Sequence, residues 1–532
     1  MRSLFSYVNG AFSLNNDRSF DKASSVLAAV ARYVKKIFTL DLRALALMRI
    51  AMGFLVLLDL SIRGADLEAH YSNSGVLPLD VLFAHNWGEF NLSIHTISGL
   101  WQVQLVLFII AAIFAIMLMF GWKTRFATIV SWFLLLSLQA RNPMILQGGD
   151  DLFRMMLFWG MFLPWGERYS IDSINKGIAN IDHKYCGMAG VAYMMQVGFV
   201  YFFSALLKTS AEWHEEGTAL YYALSLDQMV LPIGKLIYPY PELLKGLTIS
   251  VWYLEVFVMF LFFIPVYTTF FRTIAVLSII ALHLGIASTL YVGLFFIIGI
   301  ITVFGMFPPR LMDWIDRKTN RFRMFIKLLV IKAQQRMRRL LEIKMRVSVN
   351  VSRPVITVSR ELTVLFFLLF VLFWNLQNVS VVNNVTDRVN WAGLTLRTDQ
   401  NWGMFAPGVF KDDGWYILEG TTADNKKIDL NRNGEAVTYK KPESVVSMFS
   451  SDRWRKFSEN YLFVSNNYMR PYYASMVFRR WNEANPDKKI IKLEVIYMKE
   501  VTAPDYMPVQ VTREVLAIQE LPKEEYIAQE DN

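Results

Sequence analysis

Six ionisable side chains fall inside blocks of apolar sequence: Arg49, Asp59, Arg154, Lys208, Glu255 and His283. A charge in such a setting is expensive, so each is either neutralised by a partner or kept for chemistry. Lysine and histidine next to a carboxyl can move protons, provided that burial disfavours the ammonium form. The structural alternatives are plain. Arg49 or Arg154 can pair with Glu255 and hold helices together, Lys208 can snorkel from a helix end, and His283 can be a hydrogen-bonded packing residue.

Three polar segments have denser punctuation than a connector needs: Tyr71–Pro78 (YSNSGVLP), Arg141–Asp151 (RNPMILQGGDD) and Lys208–Gly217 (KTSAEWHEEG). None has metal-ligand spacing, because the six histidines are scattered and His214 has no second ligand one helical turn on. There is no GxSxG and no phosphate-cradling loop. A single cysteine, Cys186, rules out a disulfide framework or a thiol pair within one chain.

The elements that position these residues are legible in the composition. Of 532 residues, 54% are hydrophobic and 19% charged, and mean hydropathy is +0.32. The apolar residues come in blocks of roughly 15–22, long enough to cross about 30 Å of hydrocarbon. The expected fold is an all-α polytopic membrane bundle of about nine transmembrane helices with a small C-terminal α+β extramembrane domain. The spans are expected at 43–62, 100–121, 124–140, 152–166, 187–208, 246–267, 270–287, 290–308 and 361–378.

The net charge of +9 does not point to nucleic acid, because Arg310–Arg360 alone holds 14 Lys or Arg against three acids, an excess of +11. A basic segment between spans orients the chain and touches anionic headgroups. The basic flanks place the N-terminus inside and the C-terminus outside, and all three punctuated loops then open on the outer side. The expected domains are an amphipathic arm at 1–41, a bundle at 42–310, a basic loop at 311–360, a final span at 361–379 and an outward soluble domain at 380–532. No cleavable signal peptide is expected, since the first apolar block starts near Ala44. Neither an inverted repeat nor paired broken helices suggests a transporter.

In the tail, Trp415–Thr421, Lys427–Leu430, Ile491–Val501 and Val511–Gln519 read as strands, with Ala423-Asp424-Asn425 as a hairpin turn. Ser451–Ser465 and Tyr472–Ala484 read as helices.

Asp41–Asp59, the YSNSGVLP loop, RNPMILQGGDDLFR and YFFSALLKTSAEWHEEGTAL resemble the horizontally transferred transmembrane domain family, over about residues 37–310. That family includes vitamin K-dependent gamma-glutamyl carboxylase and many bacterial proteins. Asn401–Pro407 (NWGMFAP) and Asp413-Gly414-Trp415 look like the tail of its bacterial members. The resemblance implies that Lys208, in register with Tyr201, Phe202 and Trp213, matches the lysine base that deprotonates the quinol. Glu255 and His283 match an acidic residue and a histidine there; Asp150, Asp151, Arg154, Trp213 and Arg49 are the candidate substrate-binding residues. Where the carboxylase has an Asn-His pair, this chain has Gly149, Asp150 and Asp151.

The implied function is a quinol-dependent, carboxylase-like modifier of a peptide or protein at the outer face of a bacterial inner membrane. Its cofactor would be a quinol of the vitamin K or menaquinone type. The alternative is a non-catalytic maturation or export-assisting factor for a secreted peptide or protein. Membrane lipid is the expected partner in either case, and nucleic acid is not.

Overall fold

The computed structural model describes residues 18–175, 183–341, 353–507 and 509–521. An amphipathic helix, α1 (Arg18–Phe38), leads into a two-residue strand, β1 (Leu40–Asp41), and then into α2 (Leu42–Ala65). Asp41 caps α2 by accepting from the Arg43 backbone N–H at 2.8 Å, which satisfies one donor that a helix start leaves unpaired.

The bundle continues with α3 (Trp101–Phe120), α4 (Thr124–Arg141), α5 (Gly148–Gly160), β2 (Lys184–Tyr185) and α6 (Met188–Leu207). It is completed by α7 (Pro241–Leu261), α8 (Thr268–Thr289), α9 (Phe295–Thr302), α10 (Pro309–Leu341) and α11 (Arg353–Asn378). Among the described residues six helices are long and apolar enough to cross a membrane, or seven if α9 and α10 count as one bent span. Two of the expected spans, 124–140 and 152–166, are helices that miss this criterion. The second is only 13 residues long, because Gln147 and Asp150 cap its start in a reciprocal box and Pro164 lies just beyond its end.

The segment expected as a loop at 311–360 is largely helical. The 33 residues of α10 contain no glycine, and their one proline stands at the first position, where a missing N–H costs nothing. A bend of 99° separates α10 from the segment ending at Met306. Asp313 and Asp316 of α10 pair with Arg43, and Arg323 pairs with Asp316. Trp314, Phe322, Phe325, Leu328 and Leu329 on the same helix are exposed. Residues 1–17 of the expected arm, 176–182 and 342–352 lie outside the described residues.

One end of the bundle gathers β1 paired with β2, the Arg43 cluster, and Arg272 donating to the Thr39 carbonyl at 2.9 Å. The opposite end carries the three punctuated loops and the tail. The tail is a five-stranded antiparallel sheet in the order β5-β4-β3-β6-β7. Its strands are β3 (Asp412–Thr422), β4 (Lys427–Asp429), β5 (Glu435–Ala436), β6 (Ile490–Val501) and β7 (Val511–Glu520). Helices α12 (Asp452–Leu462) and α13 (Arg470–Ala484) complete it. The β3–β4 turn is the expected one, with Asn425 at a φ of 58°, a conformation that asparagine tolerates well.

Candidate functional site

Helix α6 ends at Leu207, and Lys208 is the first residue beyond it. Side chains tilt back toward a helix N-terminus, and Lys208 follows that tilt into the protein, where only 3% of it is exposed. Its Nζ donates to Ser204 Oγ at 2.7 Å and meets Glu255 Oε2 of α7 at 2.5 Å. It also lies 4.9 Å from the Trp213 ring centroid, within cation–π range. The snorkelling alternative is therefore not what the structure shows. Glu255 pairs with Lys208 and not with Arg49 or Arg154.

This pair lines a cavity of about 530 Å³. Thr248, Val251, Leu282 and Ile286 of α7 and α8 form part of its bundle side, and Met404, Phe405, Phe410, Asp412, Asp413 and Lys456 part of its tail side. Apart from the Lys208–Glu255 pair the bundle side is mainly apolar, and the tail side adds further charged groups. The segment over the cavity is tied down residue by residue. Ser210 N donates to the Pro407 carbonyl at 3.1 Å, Trp213 Nε1 to the Phe405 carbonyl at 3.0 Å, and Val409 N to Glu212 Oε2 at 3.1 Å. Lys411 closes on Glu212 at 2.7 Å. The NWGMFAP motif thus folds onto the Lys208–Gly217 loop, a contact that sequence spacing alone does not reveal.

His283 touches neither Lys208 nor Glu255. Its Nε2 lies 2.9 Å from the Tyr201 hydroxyl, and its ring packs against Phe295, a cavity-lining residue, at 5.2 Å. Tyr201, Ser204 and Lys208 are spaced by three and four residues, so they share one face of α6. In the tail, Asp413 accepts from the backbone N–H groups of Asp227 and Gln228. Burial pushes its carboxyl up to about 7, and Asp227 nearby adds to the rise.

The other sequence candidates lie elsewhere. Arg49 sits at the far end of the bundle and donates to four carbonyls, those of Trp165, Leu118, Met119 and Tyr169. Arg154 pairs with Asp151 at 3.0 Å and donates to Gln139 Oε1 and to the Arg397 carbonyl, which fastens the chain after α11. Asp150 belongs to a buried charge cluster with Asp59, Arg63 and Arg453. Arg63 bonds Asp59 at 2.8 Å and Asp150 at 2.6 Å, and Arg453 bonds the same two at 2.8 and 2.6 Å. Arg453 comes from α12 of the tail, and nothing in its sequence neighbourhood singles it out. An arginine on a short amphipathic helix reads as surface charge until the fold places it.

Compared with known proteins, the chain is similar to the sporulation-delaying protein SdpB of Bacillus subtilis (strain 168), at 26% identity over 231 residues. The match covers 41% of this chain and 66% of that protein, so the chain spans just under two thirds of its relative's length. No family model matches the chain, and no solved structure does. Six apolar helices of spanning length, together with this similarity, make the chain a multi-pass membrane protein.

Proposed function

We propose that the Lys208 cavity is a proton-abstracting site for an apolar hydroxylic ligand, and that the protein is a quinol-dependent, carboxylase-like modifier of a peptide or protein. The observation that carries this reading is a buried amine–carboxyl pair, Lys208 and Glu255, on the wall of a cavity of about 530 Å³ with a largely apolar bundle side. In such a setting separated charge is costly, and each partner offsets part of the other's burial. The Lys208 ammonium would first pass a proton to Glu255, the free amine would then take the proton of a ligand hydroxyl beside it, and the neutral Glu255 carboxyl would keep its hydrogen bond to the re-formed ammonium. Tyr201 and His283 hold the wall beneath. The resemblance to the horizontally transferred transmembrane domain family supports the same assignment, with Lys208 as its base.

The test must separate chemistry from support, because Lys208→Met alone leaves Glu255 buried without its cation. The double variant Lys208→Met/Glu255→Gln removes both charges and is expected to keep a thermal midpoint near that of the parent. With menaquinol added anaerobically to the protein in nanodiscs, the parent is expected to show the absorbance of bound quinolate and the double variant none. Equal quinolate signals in the two, or no saturable signal in the parent, would remove the base from this site.

The topology that suits this reading has nine crossings, with the N-terminus cytoplasmic and the tail outside a bacterial inner membrane. It is supported by α4 and α5, whose ends meet both poles of the bundle. Thr124 bonds Asp172 at one pole, and Arg141 bonds the Leu77 carbonyl at the other. Cys186 is exposed near β2. An impermeant maleimide on intact cells is expected to leave Cys186 unlabelled, and to label Asn425→Cys in a Cys186→Ser background. The reverse pattern would invert the topology.

A second reading, a non-catalytic factor that assists a secreted peptide or protein, is favoured by the tail's share in the cavity wall. It predicts that the double variant above retains full cellular function.

A further inference from the structure

The cluster at the junction of bundle and tail does not balance its charge. Three arginines, Arg63, Arg141 and Arg453, are buried there with exposures of 0%, 0% and 4%. Arg141 lies within electrostatic range of Tyr71, whose hydroxyl accepts from Arg63 at 2.8 Å, and of His95. The carboxylates beside them are Asp59 and Asp150, and all four of their oxygens are already taken. Asp59 gives one to Arg63 and one to Arg453. Asp150 gives Oδ1 to both arginines, and Oδ2 to Arg453 and the Gln147 N–H. Three cations against two anions leave an excess of one positive charge. His70 and His95 do not add to it, because burial pushes both down to about 3 and keeps them neutral.

The excess falls on Arg141. Its Nη1 donates to the Leu77 carbonyl at 2.9 Å, while Nε and Nη2 find no acceptor among the described residues. Those two nitrogens form one edge of the guanidinium, the fork that grips an anion with two parallel hydrogen bonds. The contrast with Arg49 is instructive. That arginine also lacks a close carboxylate, yet its Nε and both terminal nitrogens donate to carbonyls. A buried guanidinium with an open fork and no counter-charge is among the costlier arrangements in a protein interior.

We propose that Arg141 holds a small monovalent anion of the halide class at its Nε–Nη2 edge, and that this anion neutralises the buried cluster joining the tail to the bundle. The competing occupant is water.

The two are separated by titrating chloride against gluconate at constant ionic strength and following thermal unfolding of the full chain in detergent. The parent's midpoint is expected to rise saturably with chloride, by on the order of 2 °C. The variant Arg141→Gln is expected to lose that increment. A flat titration in the parent, or an increment retained in Arg141→Gln, overturns the site. Should Arg141→Gln fail to fold, crystals of the parent grown in bromide decide the matter. An anomalous peak within hydrogen-bonding distance of Nε and Nη2 supports the anion, and its absence means water.

Discussion

Arg453→Ala is expected to cost about 3–5 kcal/mol, because it strips Asp59 Oδ1 and Asp150 Oδ2 of the guanidinium bonded to them and leaves Arg63 as the one arginine in direct contact with the two buried carboxylates. The loss should show as release of the tail: rapid proteolysis between residues 379 and 401, and a lower thermal midpoint in detergent. The other bonds across the junction do not replace a buried cation. They include Asn460 to the Met144 carbonyl at 2.7 Å and Tyr468 to Asn86 at 2.7 Å. A companion variant, Arg453→Met/Asp150→Asn, removes a buried carboxylate together with the guanidinium bonded to it and should recover part of the stability. If Arg453→Ala unfolds within about 1 kcal/mol of the parent, the tail is held chiefly by packing and the cluster is not its latch.

Gly299→Ala is the second large effect. A Cβ at Gly299 would lie 2.0 Å from His283 Nε2 and 2.2 Å from its Cε1, so the imidazole must move. The ring is 1% exposed and packed against Phe295, and among the described residues its one hydrogen bond is to Tyr201, so any shift breaks that bond or opens a gap. Overpacking of this kind costs about 1–3 kcal/mol. Thermal unfolding of a double-mutant cycle with His283→Ala checks the cause: removing the ring should make the extra methyl nearly harmless, giving a coupling of roughly 1 kcal/mol or more. Strict additivity would mean that the glycine is required for some other reason.

Much of the architecture was readable from the chain because membrane helices announce themselves. Long apolar blocks match α2, α3, α6 and α8 to within a few residues, while α11 extends N-terminally to Arg353 and the block expected at 246–267 both starts and ends later than α7 (Pro241–Leu261). The tail's strands and helices followed from alternation and turn residues. What could not be read was pairing. Lys208 and Glu255 are 47 residues apart and Arg453 and Asp59 are 394 apart, and periodicity carries no information over such separations. Composition also misjudged α10, where a dense run of basic residues looked like a loop although it contains nothing that interrupts a helix. Arg49 and Arg154 are costly in apolar sequence, and the fold meets that cost largely with backbone carbonyls, which a sequence cannot display.

The turn of 99° before α10 has a consequence for the outline that the protein presents to its surroundings. Its salt-bridged side is spent on the bundle, while Trp314, Phe322, Phe325, Leu328 and Leu329 are bare. The oily footprint is therefore a ring with a brim projecting from one rim, studded with positive charge. A small, compact micelle sized to the ring leaves that brim wet, so the choice of amphiphile, and of its headgroup charge, decides whether isolated molecules stay apart or adhere to one another through it.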